Sequence, residues 1–311
     1  MKQLIQGSSR FNWGRRLVIG LPFGWLLLFF ALPFLIVLKI SISEMETVRF
    51  KDLFSYADGV LLLAIKTGNY LFITEDPLYL SAYLGSIKYA AITTIGCLFI
   101  GYPFAYFMAR SRRALQPVLL MLVMLPFWTS FLLRVYAWKG LLGEQGWVTE
   151  LIAALGIDRL LLAAGLIPAL GKLMNTPFSL VLGMVYAYLP FMILPLYANL
   201  VKMDLTLLEA ALDLGATPWQ AFWRITVPLS KSGIIAGSML VFIPCVGEFV
   251  IPELLGGPQT LMIGRVLWDE FFSNNDWPMA AAVAVVMVLL IIVPVALFNK
   301  YQAEANTGGR A

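Results

Sequence analysis

In this 311-residue chain, the first residue that could do chemistry is a carboxylate set in an apolar run. Glu248 lies near the end of the run Gly233–Val250, and no other Asp or Glu sits well inside such a run. Holding a carboxylate there is costly, so by default it marks a cation path or site. The structural alternative pairs Glu248 with Arg134, at the end of another apolar run, or with an orphan backbone donor. Other chemistries fall away. There is no His, and Cys97 and Cys245 both lie in apolar runs, where they read as small buried hydrophobes. No Cys or carboxylate cluster has metal-ligand spacing, so no cofactor is expected. The only Gly-Lys pair, Gly171-Lys172, is followed by Leu173. It therefore lacks the Gly-x4-Gly-Lys-Ser/Thr pattern of a phosphate-binding loop. Any ATP hydrolysis has to come from a partner.

The segment Val201–Ser232 carries the richest local signal. Thr206-Leu-Leu-Glu209 reads as a capping box opening a short helix, and Gly215 suits the left-handed position that ends it. Thr217-Pro218-Trp219-Gln220 repeats the pattern, with Pro218 at the first helical position. A second helix is predicted to about Thr226, with Pro228 ending it. Helices shorter than ~12 residues are marginal alone. The apolar side chains Leu207, Leu208, Ala211, Trp219, Phe222 and Ile225 must therefore bury against the rest of the chain or against a soluble partner. A DNA-reading helix-turn-helix is excluded: Lys202, Arg224 and Lys231 are balanced by Asp204, Glu209 and Asp213, leaving no basic face for phosphates.

The elements that position these residues are membrane spans. The chain is 60% hydrophobic and 13% charged, against about 25% charged in soluble domains. Six runs approach the ~20 residues that cross a bilayer: 17–38, 86–108, 115–133, 177–196, 233–250 and 278–298. Lone prolines inside them are tolerated. The N-terminal segment (Lys2, Arg10, Arg15, Arg16), the connector with Arg110, Arg112 and Arg113, the segment 201–232 and the C-terminal segment (Lys300, Arg310) hold 12 basic residues against four acidic ones. That bias puts both termini and the 201–232 hairpin on the cytoplasmic side. The run Leu151–Leu170 competes as a seventh span. It carries Asp158 and Arg159 near its middle, and is read as a periplasmic or interfacial amphipathic segment. The first run exceeds the ~7–15 apolar residues of a signal peptide and reads as an uncleaved anchor, although Ser41-Ile42-Ser43 loosely fits a cleavage site. The fold class is an all-α membrane protein, residues 1–311 forming one membrane domain.

Glu209-Ala210-Ala211, three residues, Gly215, nine residues, then Ile225-Thr-Val227-Pro228 resembles the EAA loop of binding-protein-dependent ABC importer permeases. Val227 stands where that family usually has Leu. Pro126-Phe-Trp128-Thr-Ser-Phe, Arg134-Val-Tyr136-Ala-Trp138, Gly247-Glu248-Phe-Val-Ile-Pro-Glu253-Leu-Leu-Gly-Gly257 and Asp276-Trp-Pro278 are similar to the polyamine-type branch of the family, most of all to permeases for putrescine. The resemblance implies a permease in the bacterial inner membrane, not an enzyme. It also implies two ATPase copies, a second permease and a periplasmic binding protein as partners. Glu209, Ala210, Ala211, Gly215, Ile225 and Pro228 would then form the coupling element that docks on the ATPase. A polyamine path should offer carboxylates and aromatic faces, since an ammonium over a ring gains ~0.5–2 kcal/mol. Candidates are Glu248, Trp128, Tyr136, Trp138, Tyr186, Tyr188, Trp268 and Asp269, with Glu253 weaker at the interface. Membrane aromatics also serve as interfacial belts or packing residues. Two other readings are weighed against this one. A self-sufficient secondary transporter would be expected to show more midplane carboxylates. A non-transporting scaffold would keep the hairpin without a polar path.

Overall fold

The computed structural model describes residues 13–43 and 67–308, with the short segments 45–46, 49–50, 54–57 and 60–63. The basic residues Lys2, Arg10 and Arg310 lie outside the described residues. Among the described residues the regular structure is helical apart from two small antiparallel pairings, Met45–Glu46 with Arg49–Phe50 and Phe54–Ala57 with Val60–Leu63.

The first span joins α1 (Trp13–Leu26) to α2 (Leu32–Ser41) through a π-turn, Leu27–Ala31. Its half-buried positions, Ala31, Phe34, Val37 and Ile40, recur at helical spacing. Residues 17–30 are exposed, and Ser41 at its end is buried. After α3 (Gly68–Glu75), α4 runs for 34 residues, Pro77–Arg110. It starts earlier than the apolar run because Asp76 caps it: the Leu78 amide donates to Asp76 Oδ1 at 2.8 Å and Pro77 occupies the first turn.

The third span is not one straight helix. α5 (Gln116–Met124) tightens into a 3-10 turn, Leu125–Trp128, and stops; α6 (Phe131–Leu141) leaves at 86°. The cause is local. Pro126 brings no amide, Thr129 Oγ1 donates to the Pro126 carbonyl at 2.8 Å, and Thr129 is extended. The competing run 151–170 forms no span. It folds as α7 (Trp147–Ala154) and α8 (Ile157–Ala163), separated by Gly156 at φ +68°.

α9 (Pro177–Leu200) opens on a capping box between Thr176 and Ser179. A connector then carries α10 (Thr206–Asp213), α11 (Pro218–Ala221), a π-turn (Phe222–Thr226) and α12 (Val227–Leu229). Pro228 does not end this second arm. The helical path breaks at Ser230 and bends 64° into α13 (Lys231–Val246). The fifth span ends at Val246 rather than Val250, and α14 (Val250–Leu255) and α15 (Ile263–Trp268) follow as short helices. α16 (Trp277–Gly308) closes the chain. Among the described residues four helices are long and apolar enough to cross a membrane, or up to six if each bent pair is one span.

The main core lies among α4, α9 and α13, where Cys97, Met108, Met184, Met192, Leu196, Val241 and Cys245 are buried. α9 and α13 meet at Gly233 and Gly237, a small-x-x-x-small pair. A Cβ at Gly237 would lie 2.8 Å from Met192 Sδ and 3.1 Å from its carbonyl oxygen. A second core joins α3, α4, α15 and α16, with the Tyr83 hydroxyl donating to the Val283 carbonyl at 2.8 Å.

Candidate functional site

Two regions gather the residues with functional potential: the α10–α12 hairpin and the break between α13 and α14.

In the hairpin, Gly215 has φ +85°. Its amide donates to the Leu212 carbonyl at 2.9 Å and the Ala216 amide to the Ala211 carbonyl at 3.0 Å. This double closure is a Schellman motif, and it needs the left-handed residue that glycine supplies. The predicted Thr217 box is present, with the Thr217 amide to Gln220 Oε1 at 3.0 Å and the Gln220 amide to Thr217 Oγ1 at 3.3 Å. The predicted Thr206–Glu209 box is not. Thr206 is already the first helical residue, and its amide donates to Asp204 Oδ1 at 3.0 Å, so Asp204 supplies the local partner.

Phe222 anchors the hairpin to α4. Its ring meets Tyr102 and Tyr106 edge-on at 5.7 Å each, one helical turn apart. The Tyr102 hydroxyl lies 2.9 Å from Ser230 Oγ, and Asn199 Nδ2 donates to Ser232 Oγ at 2.7 Å, joining both roots of the hairpin. Ala211 and Ile225 are half-buried, whereas Glu209, Ala210, Gly215 and Pro228 are exposed. An apolar surface remains uncovered: Leu214 is 89% and Trp219 70% exposed, joined by Leu207, Leu212 and Trp223.

At the α13–α14 break, Glu248 is buried. Its Oε1 accepts the amides of Phe249 at 3.2 Å, Val250 at 3.0 Å and Ile251 at 3.5 Å. Its Oε2 accepts the hydroxyl of Tyr188, on α9. Of the two structural partners considered from sequence, the orphan backbone donors are met. Arg134 instead lies over the rings of Phe127 and Phe131, 5.4 and 5.7 Å from their centroids, and its buried Nε has no hydrogen-bond partner among the described residues.

Beyond α14, Glu253, Arg265 and Asp269 border a crevice of about 490 Å³ shared with Asn175, Gly256 and Gly257. Arg265 Nε pairs with Glu253 Oε2 at 2.7 Å and approaches Asp269 Oδ2 at 4.0 Å. Sequence reasoning missed Arg265, although its i,i+4 spacing to Asp269 was readable. Trp268 stacks on Phe249 at 4.5 Å, next to Glu248. The remaining predicted aromatics are dispersed. Tyr186 meets Trp138 edge-on at 5.4 Å and borders an apolar groove of about 310 Å³ with Phe104, Phe107 and Pro126. Trp128, 78% exposed, and Tyr136 stand on the outer faces of the broken third span.

A bundle of four to six candidate spans, two of them bent pairs, with a capped hairpin between two packed helices is the architecture of a membrane transport domain. The chain belongs to the family described as binding-protein-dependent transport system inner membrane component, whose model matches residues 97–303. The spermidine/putrescine transport system permease protein PotB of Haemophilus influenzae is 39% identical over 283 residues, spanning 90% of this chain and 92% of that protein. PotB of Escherichia coli strain K12 is 38% identical over 268 residues, spanning 86% and 90%. The fold resembles that in the crystal structure of a bacterial ABC transporter importing the polysaccharide alginate. There the TM-score is 0.60 at 14% identity, covering 94% of this chain and 96% of that one.

Proposed function

We propose that this chain is the permease subunit of an ATP-driven importer of polyamines across the bacterial inner membrane, and in the narrower reading of putrescine. The observation that carries the coupling role is the hairpin. It is closed by a Schellman motif and a capping box, wedged onto α4 by Phe222, and leaves Leu214 and Trp219 bare. A preformed short helix with an uncovered apolar face suits a partner that pushes on it. Here that partner is an ATPase pair on the cytoplasmic side, the side to which the basic connectors assign the hairpin. A second homologous permease completes the pathway, and a periplasmic binding protein delivers substrate. ATPase closure displaces the hairpin, and α4, α9 and α13 follow as rigid bodies.

The substrate class rests on the polyamine permeases at 38–39% identity. It fits the carboxylates of Glu253 and Asp269 at the crevice and the ring of Trp268, next to Asp269 in the chain; Tyr186, Tyr136 and Trp128 lie away from that crevice. Because those relatives are named for both polyamines, spermidine is the second reading.

The test is uptake of labelled putrescine and spermidine into proteoliposomes holding the full complex, with a Cys placed at Leu214 for cross-linking to the ATPase. ATP-dependent uptake and a cross-link at Leu214 are expected. Uptake by the isolated subunit driven by a proton gradient would overturn the proposal in favour of a secondary transporter. Failure of the cross-link would remove the coupling role.

A further inference from the structure

We propose that Tyr188 and Glu248 form a latch that fastens α14 to α9, so that Glu248 serves transport as a positioning residue rather than as a ligand of the moving cation. The inference deepens the polyamine-permease reading and rests on it for its uptake measurements.

The first argument is capacity. A carboxylate offers about four acceptor sites. Glu248 uses Oε1 on three consecutive amides, Phe249, Val250 and Ile251, and Oε2 on the Tyr188 hydroxyl. Those amides open α14 and have no earlier turn to bond to, nor another acceptor among the described residues; the one free site is on the buried Oε2, so an ammonium would have to enter the α9–α14 contact and draw the carboxylate off them. The second argument is mechanical. α14 is held to α9 at both ends. At its far end Ser179 Oγ donates to the Leu255 carbonyl at 2.7 Å. Between the ends, a Cβ at Gly183 would lie 2.5 Å from Leu255 Cδ1 and 3.2 Å from Ile251 Cγ2, so α14 lies tight on α9 there. α15 also packs on the break, where a Cβ at Gly264 would lie 2.5 Å from the backbone carbonyl oxygen of Gly247 and 2.6 Å from that of Glu248.

The consequence is a line of attachment. α9 runs directly into the connector that bears the hairpin, and α14 carries Glu253, which holds Arg265 at the crevice. Displacing the hairpin moves α9, and the latch carries that movement to the ion pair of Glu253 and Arg265.

The test compares Glu248→Gln, Tyr188→Phe and the double variant in the complete complex. Each single change should lower uptake per ATP hydrolysed about tenfold, leave the KM for putrescine within about twofold, and speed amide exchange at 249–251. The double variant should be no worse than either single one, because both break the same contact. Tyr188→Phe removes a single hydroxyl and keeps the comparison available where Glu248→Gln does not insert. A tenfold rise in KM for Glu248→Gln with Tyr188→Phe like wild type would overturn the latch and make Glu248 a cation ligand. Unchanged amide exchange in both variants would also overturn it. A wild-type complex that takes up neither polyamine would instead refute the substrate reading, and the exchange measurement would still decide the latch.

Discussion

Replacing Gly215 with proline should stop uptake while leaving the protein in the membrane. The residue sits at φ +85°, whereas the proline ring holds φ near about −65°. The same change deletes the amide that bonds the Leu212 carbonyl at 2.9 Å. An incompatible proline in a helical setting costs roughly 3 kcal/mol or more. At about 1.4 kcal/mol per factor of ten, the intact hairpin is depleted about a hundredfold. Gly215→Ala provides the graded control. No atom lies within 4 Å of the added Cβ, so the change costs only the left-handed conformation, about 1–2 kcal/mol, or a factor of roughly 5–30. The assay is ATP-driven uptake of labelled putrescine in proteoliposomes, with membrane abundance measured by immunoblot. Uptake should fall in the order wild type, Gly215→Ala, Gly215→Pro, with the last near background. Gly215→Pro uptake above half of wild type at equal abundance would refute the claim that the turn must be closed for coupling.

Three further outcomes follow from the geometry. Leu214→Asp should abolish cross-linking to the ATPase and ATP-driven uptake while changing the melting temperature of the isolated subunit little, since an exposed substitution usually stays within about 0.5 kcal/mol. Phe222→Ala removes both edge-on contacts to the α4 tyrosines, worth about 0.5–1.5 kcal/mol each, so protease cleavage within 218–229 should accelerate roughly tenfold or more. Gly237→Val forces a methyl against Met192, where overpacking costs typically about 1–3 kcal/mol. The detergent-solubilised protein should melt several degrees lower, and an unchanged melting temperature would show that α9 and α13 are looser than described.

Much of the architecture was legible because long apolar runs have few alternatives in lipid. The fourth and sixth spans lie where their runs lie. In the hairpin, Gly215 and the Thr217–Gln220 pair were readable because each solves a problem of adjacent backbone. Other features depended on competition that spacing does not rank. Asp204 is two residues from the Thr206 amide and meets it, so Thr206 never becomes the cap. The third run reads as continuous, yet Pro126 and the short hydrogen bond of Thr129 turn the chain through 86°. The least legible contact was the second one made by Glu248. Its partner Tyr188 lies 60 positions away on another helix, and no local pattern announces that meeting. The crevice at Arg265 was hidden for the same reason, since its wall at Asn175 comes from a different part of the chain.

The close seam between α9 and α13 has a consequence for how work enters the membrane. The two helices that root the hairpin touch backbone to side chain at Gly233 and Gly237, and Asn199 and Ser232 tie them again at the base. Roots held in this way cannot be spread like scissor blades. If the hairpin couples as proposed, a push on its tip would tilt both helices together, and the stroke would be delivered as torque on a single two-legged lever.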